Sequence, residues 1–453
     1  MCSLVQKYNV PGPRYTSYPT VPFWDISTFS GKKWEETVKK SFHLSNSSTG
    51  ISIYIHLPFC ESMCTFCGCH KRITKRHDLE LPYIKSVLKE WGLYRNLFDE
   101  KPIIKELHLG GGTPTFFTPE NLKFLIEGIL RIATKADDAE FSFEGHPNNT
   151  TKEHLQALYD VGFRRVSFGV QDYNETVQKA INRIQPFENV KNVTEWSREI
   201  GYDSISHDII FGLPHQKLEH VINTIEKTKE LKPDRIAFYS YAHVPWLAGN
   251  GQRGYNDADL PAGEEKRTQY EVGKELLLEY GYHEIGMDHF ALESDSLFKA
   301  MENGTLHRNF MGYTSSNTHL MVGLGASSIS DSWYGFAQNV KNVEEYQNLV
   351  ANDIIPLYRG HILTEEDQII RRHILNLMCQ FQTSWSVFKL HLPQLDSILN
   401  RLKELERDGI VVITEGNLRI TEKGRPFVRN VCMAFDLPLQ DKSPNTKLFS
   451  MTV

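Results

Sequence analysis

The sequence has no uncharged apolar run long enough to span a bilayer, and its first residues, MCSLVQKYNVPGPRY, lack the apolar core of a signal peptide. It also has no excess of basic charge, because 50 Lys and Arg residues stand against 56 acidic ones, a net charge of −6. There is thus no global field to attract nucleic acid or an anionic membrane, and we expect a cytoplasmic protein that binds neither. An anionic ligand must instead meet local arginines and lysines.

Cysteine is scarce, with seven in 453 residues, and four of the seven fall within ten positions. This clustering, in a chain expected in a reducing compartment, favours metal binding over a disulfide framework. The segment is HLPFCESMCTFCGCH, in which Cys60, Cys64 and Cys67 are separated by three and two residues. Soft sulfur ligands at this spacing suit an iron–sulfur cluster, zinc or Cu(I).

The number of cysteine ligands separates these metals. A structural zinc ion normally takes four protein ligands, and Cys69 follows Cys67 so closely that chelation of the same ion is geometrically awkward. Three thiolates on a four-iron cubane leave one iron open to a small molecule. We therefore predict such a cluster, with a zinc knuckle or coincidental thiols as the alternative.

Short β-type runs alternate with helical patterns from about residue 50 to 245, which is typical of parallel α/β units. The predicted strands are 51–57, 104–109, 140–144, 164–170, 204–211 and 234–242. Six such repeats predict an α/β fold with a partial parallel (β/α)6 barrel. Thr118 is predicted to cap the helix after the second strand, and Thr150 with Glu153 to form a capping box on the next helix.

The flanking segments predict two further parts around a catalytic domain of residues 50–361. Residues 1–49 contain PGPRYTSYPT, which indicates an extended N-terminal arm over the active site. Beyond about residue 290 we expect longer helices. Residues 362–453 are predicted to form a smaller, mostly helical, winged-helix-like domain that ends in a hairpin with Gly416 and Asn417 at the turn. We interpret it as a packing domain rather than a DNA-binding one, because the chain is acidic overall.

Glycine and polar residues follow the predicted strands, at the edge where parallel α/β barrels gather their functional groups. After the second strand, HLGGGTPT contains three glycines that allow the backbone to approach a ligand closely. A tight βα turn explains this segment equally well when it is taken alone. Beside the cysteine loop, a cradle for the polar groups of a small molecule bound at the open iron is the better interpretation.

Three other strands carry polar residues: Glu144 ends the third, Gln171 ends the fourth, and Asp208 lies within the fifth. Arg183, after the fourth strand, is a candidate carboxylate clamp because guanidinium groups bind carboxylates bidentately. Each residue alone is also explained as a helix cap, a loop hydrogen-bond partner or a solvated charge. Their recurrence on successive strand ends indicates a site.

Taken together, the motifs resemble the oxygen-independent coproporphyrinogen III oxidase, or dehydrogenase, family of the radical S-adenosylmethionine superfamily. The spacing C-x-x-x-C-x-x-C, with the aromatic Phe66 before the third cysteine, resembles the superfamily signature. The resemblance continues through PGPRYTSYPT, HLGGGTPT, RVSFGVQDYN, IIFGLP, YAHVP, GMDHFA, HRNFMGYT and RNVCMAFD. The Gly-Cys pair after Cys67, HRNFMGYT and the N-terminal arm favour the dehydrogenase over the related haem chaperone.

The resemblance implies oxidative decarboxylation of two propionate side chains of coproporphyrinogen III to vinyl groups, giving protoporphyrinogen IX without oxygen. A 4Fe–4S cluster would reduce S-adenosylmethionine, releasing methionine and a 5′-deoxyadenosyl radical that abstracts hydrogen from the propionate β-carbon. The resemblance also implies a monomeric oxidoreductase of haem biosynthesis with an electron donor such as a flavodoxin or ferredoxin. A haem chaperone, or a radical haem-degrading enzyme, is the alternative.

The same resemblance assigns roles residue by residue, with Cys60, Cys64 and Cys67 as the cluster ligands. The implied contacts to the cluster-bound S-adenosylmethionine are Tyr54, Gly111, Glu144 and Ile329. Of these, Tyr54 and Glu144 are predicted to be catalytic, together with the three cysteines. Positions associated with a possible second S-adenosylmethionine are Phe66, Gly112, Thr113, Gln171, Arg183, Asp208 and Ala242.

Two further places bear on the substrate and on specificity. Arg14 and Tyr15 in the arm are candidates for closing over the substrate. Gly145 and His146 precede Pro147 where the family commonly has an acidic residue before the proline. We expect a local change beside the S-adenosylmethionine site there, not loss of the cluster.

Overall fold

A computed structural model describes residues 2–246, 251–252, 254–386, 394–441 and 448–452. The strands are β1 Ile51–Leu57, β2 Phe59–Cys60, β3 Arg72–Ile73, β4 Ile103–Gly111, β5 Thr134–Gly145, β6 Arg165–Gln171, β7 Ser204–Phe211, β8 Arg235–Ser240, β9 His283–Gly286, β10 His289–Ala291, β11 His307–Asn309, β12 Gly312–Thr314, β13 Met321–Leu324, β14 Ile329–Asp331, β15 Gly335–Asn339, β16 Leu357–Ile362, β17 Gln382–Ser384, β18 Val411–Thr414 and β19 Asn417–Ile420. The helices are α1 Cys2–Tyr8, α2 Gly31–Ser45, α3 Glu80–Arg95, α4 Pro119–Arg131, α5 Lys152–Asp160, α6 Glu175–Ala180, α7 Phe187–Ile200, α8 Leu218–Leu231, α9 Gly263–Glu279, α10 Ser296–Glu302, α11 Val343–Ala351, α12 Glu365–Gln380, α13 Leu395–Arg407, α14 Val428–Met433 and α15 Leu437–Asp441. None of the helices in these ranges is long and apolar enough to cross a membrane.

The central sheet has twelve strands in the order β16-β15-β14-β13-β1-β4-β5-β6-β7-β8-β10-β9. β13, β1 and β4 to β8 pair in parallel, and the strands at both edges are joined antiparallel. In the described residues the two edge strands, β16 and β9, do not pair, so the barrel is partial, as predicted. The six predicted strands are all present, and β1 and β7 have the predicted bounds.

The alternation of residues along β1 separates the core from the site. Ile51, Ile53 and Ile55 are fully buried in one apolar core with Trp91 of α3 and Leu125 of α4. Successive side chains of a strand point to opposite faces, so the residues between them face the concave side of the sheet. Tyr54 and His56 of β1 consequently line a cavity there. The sequence ISIYIHL thus supplies core and site from one strand.

Three expectations about local structure are wrong. Thr151, not Thr150, caps α5 and accepts from the His154 backbone N–H, because the Thr150 hydroxyl is bonded to the His146 carbonyl instead. Between about residue 290 and residue 362 the chain forms mainly short strands instead of the expected longer helices. One of these strands, β13, continues the parallel sheet on the far side of β1. The C-terminal hairpin turns at 415–416, and Asn417 already belongs to β19.

The N-terminal arm is tied to the C-terminal part of the chain through Arg429. Its Nε donates to the Pro13 carbonyl at 2.9 Å, its Nη1 to the Met451 carbonyl at 2.8 Å, and its Nη2 to the Gly12 carbonyl. Arg429 is only 4% exposed, so these carbonyls take the place of water around its charge. The domain boundaries predicted near residues 50 and 362 stay predictions.

Replacing Arg429 with glutamine is expected to loosen this arm, because one amide cannot supply the donors that bond three carbonyls on two segments. Loss of hydrogen bonds to a charged group costs about 1.5–3 kcal/mol each when they are buried. We expect faster proteolytic cleavage near residues 10–15, measured by mass spectrometry of limited digests. The matched control is Arg419→Gln on the exposed face of β19; equal digestion of both variants would contradict the role of Arg429.

Candidate active site

The cysteine loop follows β1 directly, at the carboxyl end of the parallel strands. The glycine turn after β4 is bonded to it through the Gly112 N–H to the Leu57 carbonyl at 2.8 Å and the Thr113 N–H to the Phe59 carbonyl at 3.0 Å. The Thr113 hydroxyl also donates to the Cys60 sulfur at 3.3 Å. The cysteine loop and the glycine turn therefore form one hydrogen-bonded unit.

A cavity of about 260 Å³, which we call the cysteine cavity, opens beside this unit. The sequence-predicted residues that line it are Cys60, Cys64, Cys67, Phe66, Gly112, Thr113 and Arg183. Arg183 donates from Nη2 to the Gly169 carbonyl at 2.6 Å, and its Nη1 lies 4.0 Å from the Cys64 sulfur. A cationic group is thus positioned against one of the thiols.

The donor set of the cysteine cavity fits a cluster held by three protein ligands. A hydrogen bond with Cys69 lowers the pKa of the Cys67 thiol to about 6, whereas burial raises the pKa of the Cys60 thiol to about 11. Within the described ranges no three His, Cys, Asp or Glu side chains surround a single ion-sized point. Three thiols that line one cavity suit a cubane, in which each sulfur binds a different iron, whereas a structural zinc ion takes four protein ligands. Cys69 lines a different cavity.

That second cavity, of about 520 Å³, lies on the concave face of the sheet, and we call it the concave cavity. The four residues predicted to contact the cluster-bound S-adenosylmethionine all line it: Tyr54, Gly111, Glu144 and Ile329. Glu144 Oε1 lies 3.5 Å from His108 Nε2. The Tyr54 ring stacks on His108 with 6.0 Å between centroids. Side chains from β1, β4 and β5 therefore meet at one edge of this cavity.

Glycine is required where the turn passes between the two cavities. Gly111 has φ +113°, and a Cβ there would lie 2.8 Å from the His56 ring. At Gly112 a Cβ would lie 2.6 Å from the Pro58 carbonyl carbon and 2.9 Å from the Phe59 oxygen. The His56 ring at Gly111 and the neighbouring backbone at Gly112 leave no space for a side chain at either position.

Three residues predicted for a second S-adenosylmethionine line neither cavity in the described part of the chain. Gln171 ends β6 in the left-handed region, with φ +66°. Asp208 accepts from the Ser167 hydroxyl at 2.8 Å, and burial raises its pKa to about 7. The Ala242 carbonyl accepts from the Gln252 side chain at 2.9 Å. Their assignment stays a prediction.

The N-terminal arm lies apart from Gly145 and His146, the two residues at which the sequence departs from the family pattern. Arg14 forms an ion pair with Asp288 and lines the concave cavity. Tyr15 is buried and donates to Asp436 at 3.0 Å, and it is not among the residues that line either cavity. His146 lines the cysteine cavity, and burial lowers its pKa to about 3. The departure therefore adjoins the cysteine loop.

Several residues that line the concave cavity were not predicted as site residues. They are His56, His70, His108, Tyr239, His289 and Arg308. His108, His289 and Arg308 lie inside the segments HLGGGTPT, GMDHFA and HRNFMGYT. Those segments carried the resemblance, so the signal was present, but nothing in one sequence distinguishes a cavity-lining histidine from a packed one.

Comparisons with known proteins agree with this arrangement. A model of the Radical SAM superfamily matches residues 54–228, and one of the HemN C-terminal domain matches residues 363–427. A Synechocystis protein named oxygen-independent coproporphyrinogen III oxidase is 38% identical, with 99% of this chain and 97% of the relative covered. A Helicobacter pylori protein of the same name is 36% identical, with 99% and 98% covered.

A solved structure agrees as well. It is the Escherichia coli coproporphyrinogen III oxidase (HemN), described as a radical SAM enzyme, which superposes with a TM-score of 0.89 at 34% identity. The match covers 97% of this chain and 99% of that one. With full-length relatives above 30% identity, the chain belongs to the oxygen-independent coproporphyrinogen III oxidase family of radical S-adenosylmethionine enzymes.

Proposed function

We propose that this chain converts two propionate side chains of coproporphyrinogen III to vinyl groups without oxygen, giving protoporphyrinogen IX. Each conversion removes one hydrogen atom, one carbon dioxide and one electron from the substrate. The observation that carries the proposal is the adjacency of the cysteine cavity and the concave cavity at one set of strand ends. The proposed cluster ligands line the cysteine cavity, and the residues proposed to bind S-adenosylmethionine line the concave cavity, so a radical would form beside a substrate bound there.

In this proposal Cys60, Cys64 and Cys67 bind the cluster. The 4Fe–4S cluster and S-adenosylmethionine, when bound, supply the reducing and radical chemistry. The Thr113 hydroxyl, bonded to the Cys60 sulfur, fixes the orientation of that ligand. A hydrogen bond from a neighbouring residue to a ligating atom orients metal ligands in general.

The first S-adenosylmethionine would be bound by Tyr54, Gly111, Glu144 and Ile329. The Glu144 carboxylate suits an amino group, and His108 at 3.5 Å limits its freedom. The backbone of the glycine turn offers close approach to a carboxylate. If a second S-adenosylmethionine binds, the cysteine cavity offers it Phe66, Gly112, Thr113 and Arg183, with Gln171, Asp208 and Ala242 as the further predicted contacts.

The enzyme's location, oligomeric state and electron donor are also inferred. We infer a cytoplasmic monomer that takes electrons from a flavodoxin or ferredoxin and binds neither nucleic acid nor membrane. The acidic balance of the chain, with a net charge of −6, supports the last two inferences.

Anaerobic reconstitution tests the proposed reaction. The protein is loaded with iron and sulfide, reduced, and incubated with S-adenosylmethionine and coproporphyrinogen III. We expect protoporphyrinogen IX, detected as protoporphyrin after oxidation, together with methionine and 5′-deoxyadenosine. Haem binding without vinyl product would favour a chaperone, and a ring-opened product from haem would favour a degradative enzyme.

Replacing Arg183 with alanine is expected to weaken binding of the carboxylate of S-adenosylmethionine by about 2 kcal/mol, the range for a buried hydrogen bond to a charged group. The cluster absorption should persist, because Arg183 contributes no sulfur. Equilibrium dialysis with labelled S-adenosylmethionine measures the change, and Arg131→Ala, at the exposed end of α4, is the control. Unchanged affinity would limit Arg183 to its bond with the Gly169 carbonyl.

A further inference from the structure

We propose that Arg308 is the receptor for one propionate carboxylate of the tetrapyrrole. This assignment depends on the proposed function, because it states how the same site recognises its substrate. It concerns a residue to which the sequence assigned no role.

Arg308 lies in β11 and lines the concave cavity, and it is only 4% exposed. Its Nη2 makes one long hydrogen bond, to the Arg14 carbonyl at 3.4 Å. Its Nε and Nη1 are buried and have no hydrogen-bond partner among the residues that the structure describes. A guanidinium stays charged, and buried donors without hydrogen bonds are costly in free energy. A ligand with acceptor oxygens can therefore supply the partner that Nε and Nη1 lack within the described residues.

The neighbouring groups fix Arg308 without neutralising it. Its guanidinium lies over the Tyr313 ring, 4.5 Å from the centroid, which restrains the plane of the fork. Asp288 is already engaged by Arg14, and Glu144 lies next to His108. Burial lowers the pKa of His56 and of His289 to about 4, so these histidines are neutral at pH 7 and present no competing charge.

A planar, preoriented guanidinium whose Nε and Nη1 have no partner in the described part of the chain selects a carboxylate, because two parallel N–H groups match the two oxygens. Coproporphyrinogen III carries four propionates, and S-adenosylmethionine carries one carboxylate. We assign the propionate, since Arg183, which lines the cysteine cavity, is the residue proposed for the carboxylate of S-adenosylmethionine. The ion pair stabilises the carboxylate and so opposes its loss as carbon dioxide; we therefore assign Arg308 to a propionate that does not react in that turnover.

The test compares reconstituted wild-type enzyme with Arg308→Gln and Arg308→Lys. Fluorescence titration gives Kd for coproporphyrin III and for its neutral tetramethyl ester, and steady-state assays give KM and kcat for coproporphyrinogen III. For Arg308→Gln we expect Kd for the tetra-acid and KM to rise roughly tenfold to a hundredfold, with a smaller change in kcat. Affinity for the ester and for S-adenosylmethionine should stay constant.

Arg308→Lys should fall between the wild type and Arg308→Gln, because an ammonium keeps the charge and loses the bidentate geometry. It also provides the test if Arg308→Gln fails to take up its cluster. Arg372→Gln, an exposed position on α12, is the control for loss of one positive charge.

Three results would overturn the assignment: unchanged Kd and KM, equal weakening of the ester and the acid, or loss of S-adenosylmethionine binding instead. A wild-type enzyme that forms vinyl product, combined with an unaffected Arg308→Gln, refutes the role of Arg308 alone. A wild-type enzyme that forms no vinyl product refutes the proposed function, and the propionate assignment with it.

Discussion

Replacing Cys64 with serine is expected to abolish both the visible absorption of the cluster and all formation of vinyl product. A serine hydroxyl is a hard, weakly acidic donor, and iron in these clusters requires soft thiolates. Cys64 lines the cysteine cavity together with Cys60 and Cys67. With one sulfur removed, only two of the three proposed ligands remain. Absorption spectra and iron content after anaerobic reconstitution measure the effect.

Cys69→Ser is the matched control for this experiment. Cys69 is only two residues from Cys67, but it lines the concave cavity instead. We expect this variant to keep its cluster absorption. A fully coloured Cys64→Ser variant, or a colourless Cys69→Ser variant, would show that the ligand set differs from the one proposed.

Replacing Gly112 with alanine is expected to lower activity by about a hundredfold, the loss that accompanies a displacement of roughly 1 Å at a catalytic centre. The new Cβ would stand 2.6 Å from the Pro58 carbonyl carbon and 2.7 Å from its oxygen. These are backbone atoms two residues before Cys60, so the cysteine loop must move. Product formation per bound iron separates displaced cofactors from lost ones.

Gly92→Ala is the control for a methyl group added to glycine. Gly92 lies in α3, and a Cβ there meets nothing within 4 Å. It should leave activity unchanged, and the greater helix propensity of alanine should slightly stabilise α3. If Gly112→Ala retained full iron content and full activity, the glycine turn would be more tolerant than its contacts indicate.

The parallel strands were predictable because their residues either alternate between apolar and polar or form a continuous apolar run, and turn residues bound each strand. β1 and β7 have the predicted bounds, and the cap at Thr118 is present. β13 was missed, because Met321–Leu324 is too short to show a period. Its place beside β1 comes from a pairing more than 260 residues apart in sequence, which no local pattern encodes.

Some residues of the candidate site could likewise be predicted from the sequence, and others could not. The cysteine spacing indicates the cluster because metal ligands must recur at short intervals in one loop. Arg308 had no such signal, since its proposed role depends on burial and on two donors that have no partner among the described residues. Gln171 ends β6 and Asp208 lies within β7, but the direction of their side chains depends on packing. Only the three-dimensional contacts show which of these side chains face a cavity.

The hydrogen bonds that join the cysteine loop to the glycine turn also have a consequence for cofactor affinity. Gly112 and Thr113 bond to Leu57 and Phe59 within the protein itself, so these bonds restrain both segments without any contact from a ligand. Binding then loses less conformational entropy than it would if flexible loops had to be ordered at that moment. More of the contact energy remains as affinity, which favours retention of the cluster through many turnovers.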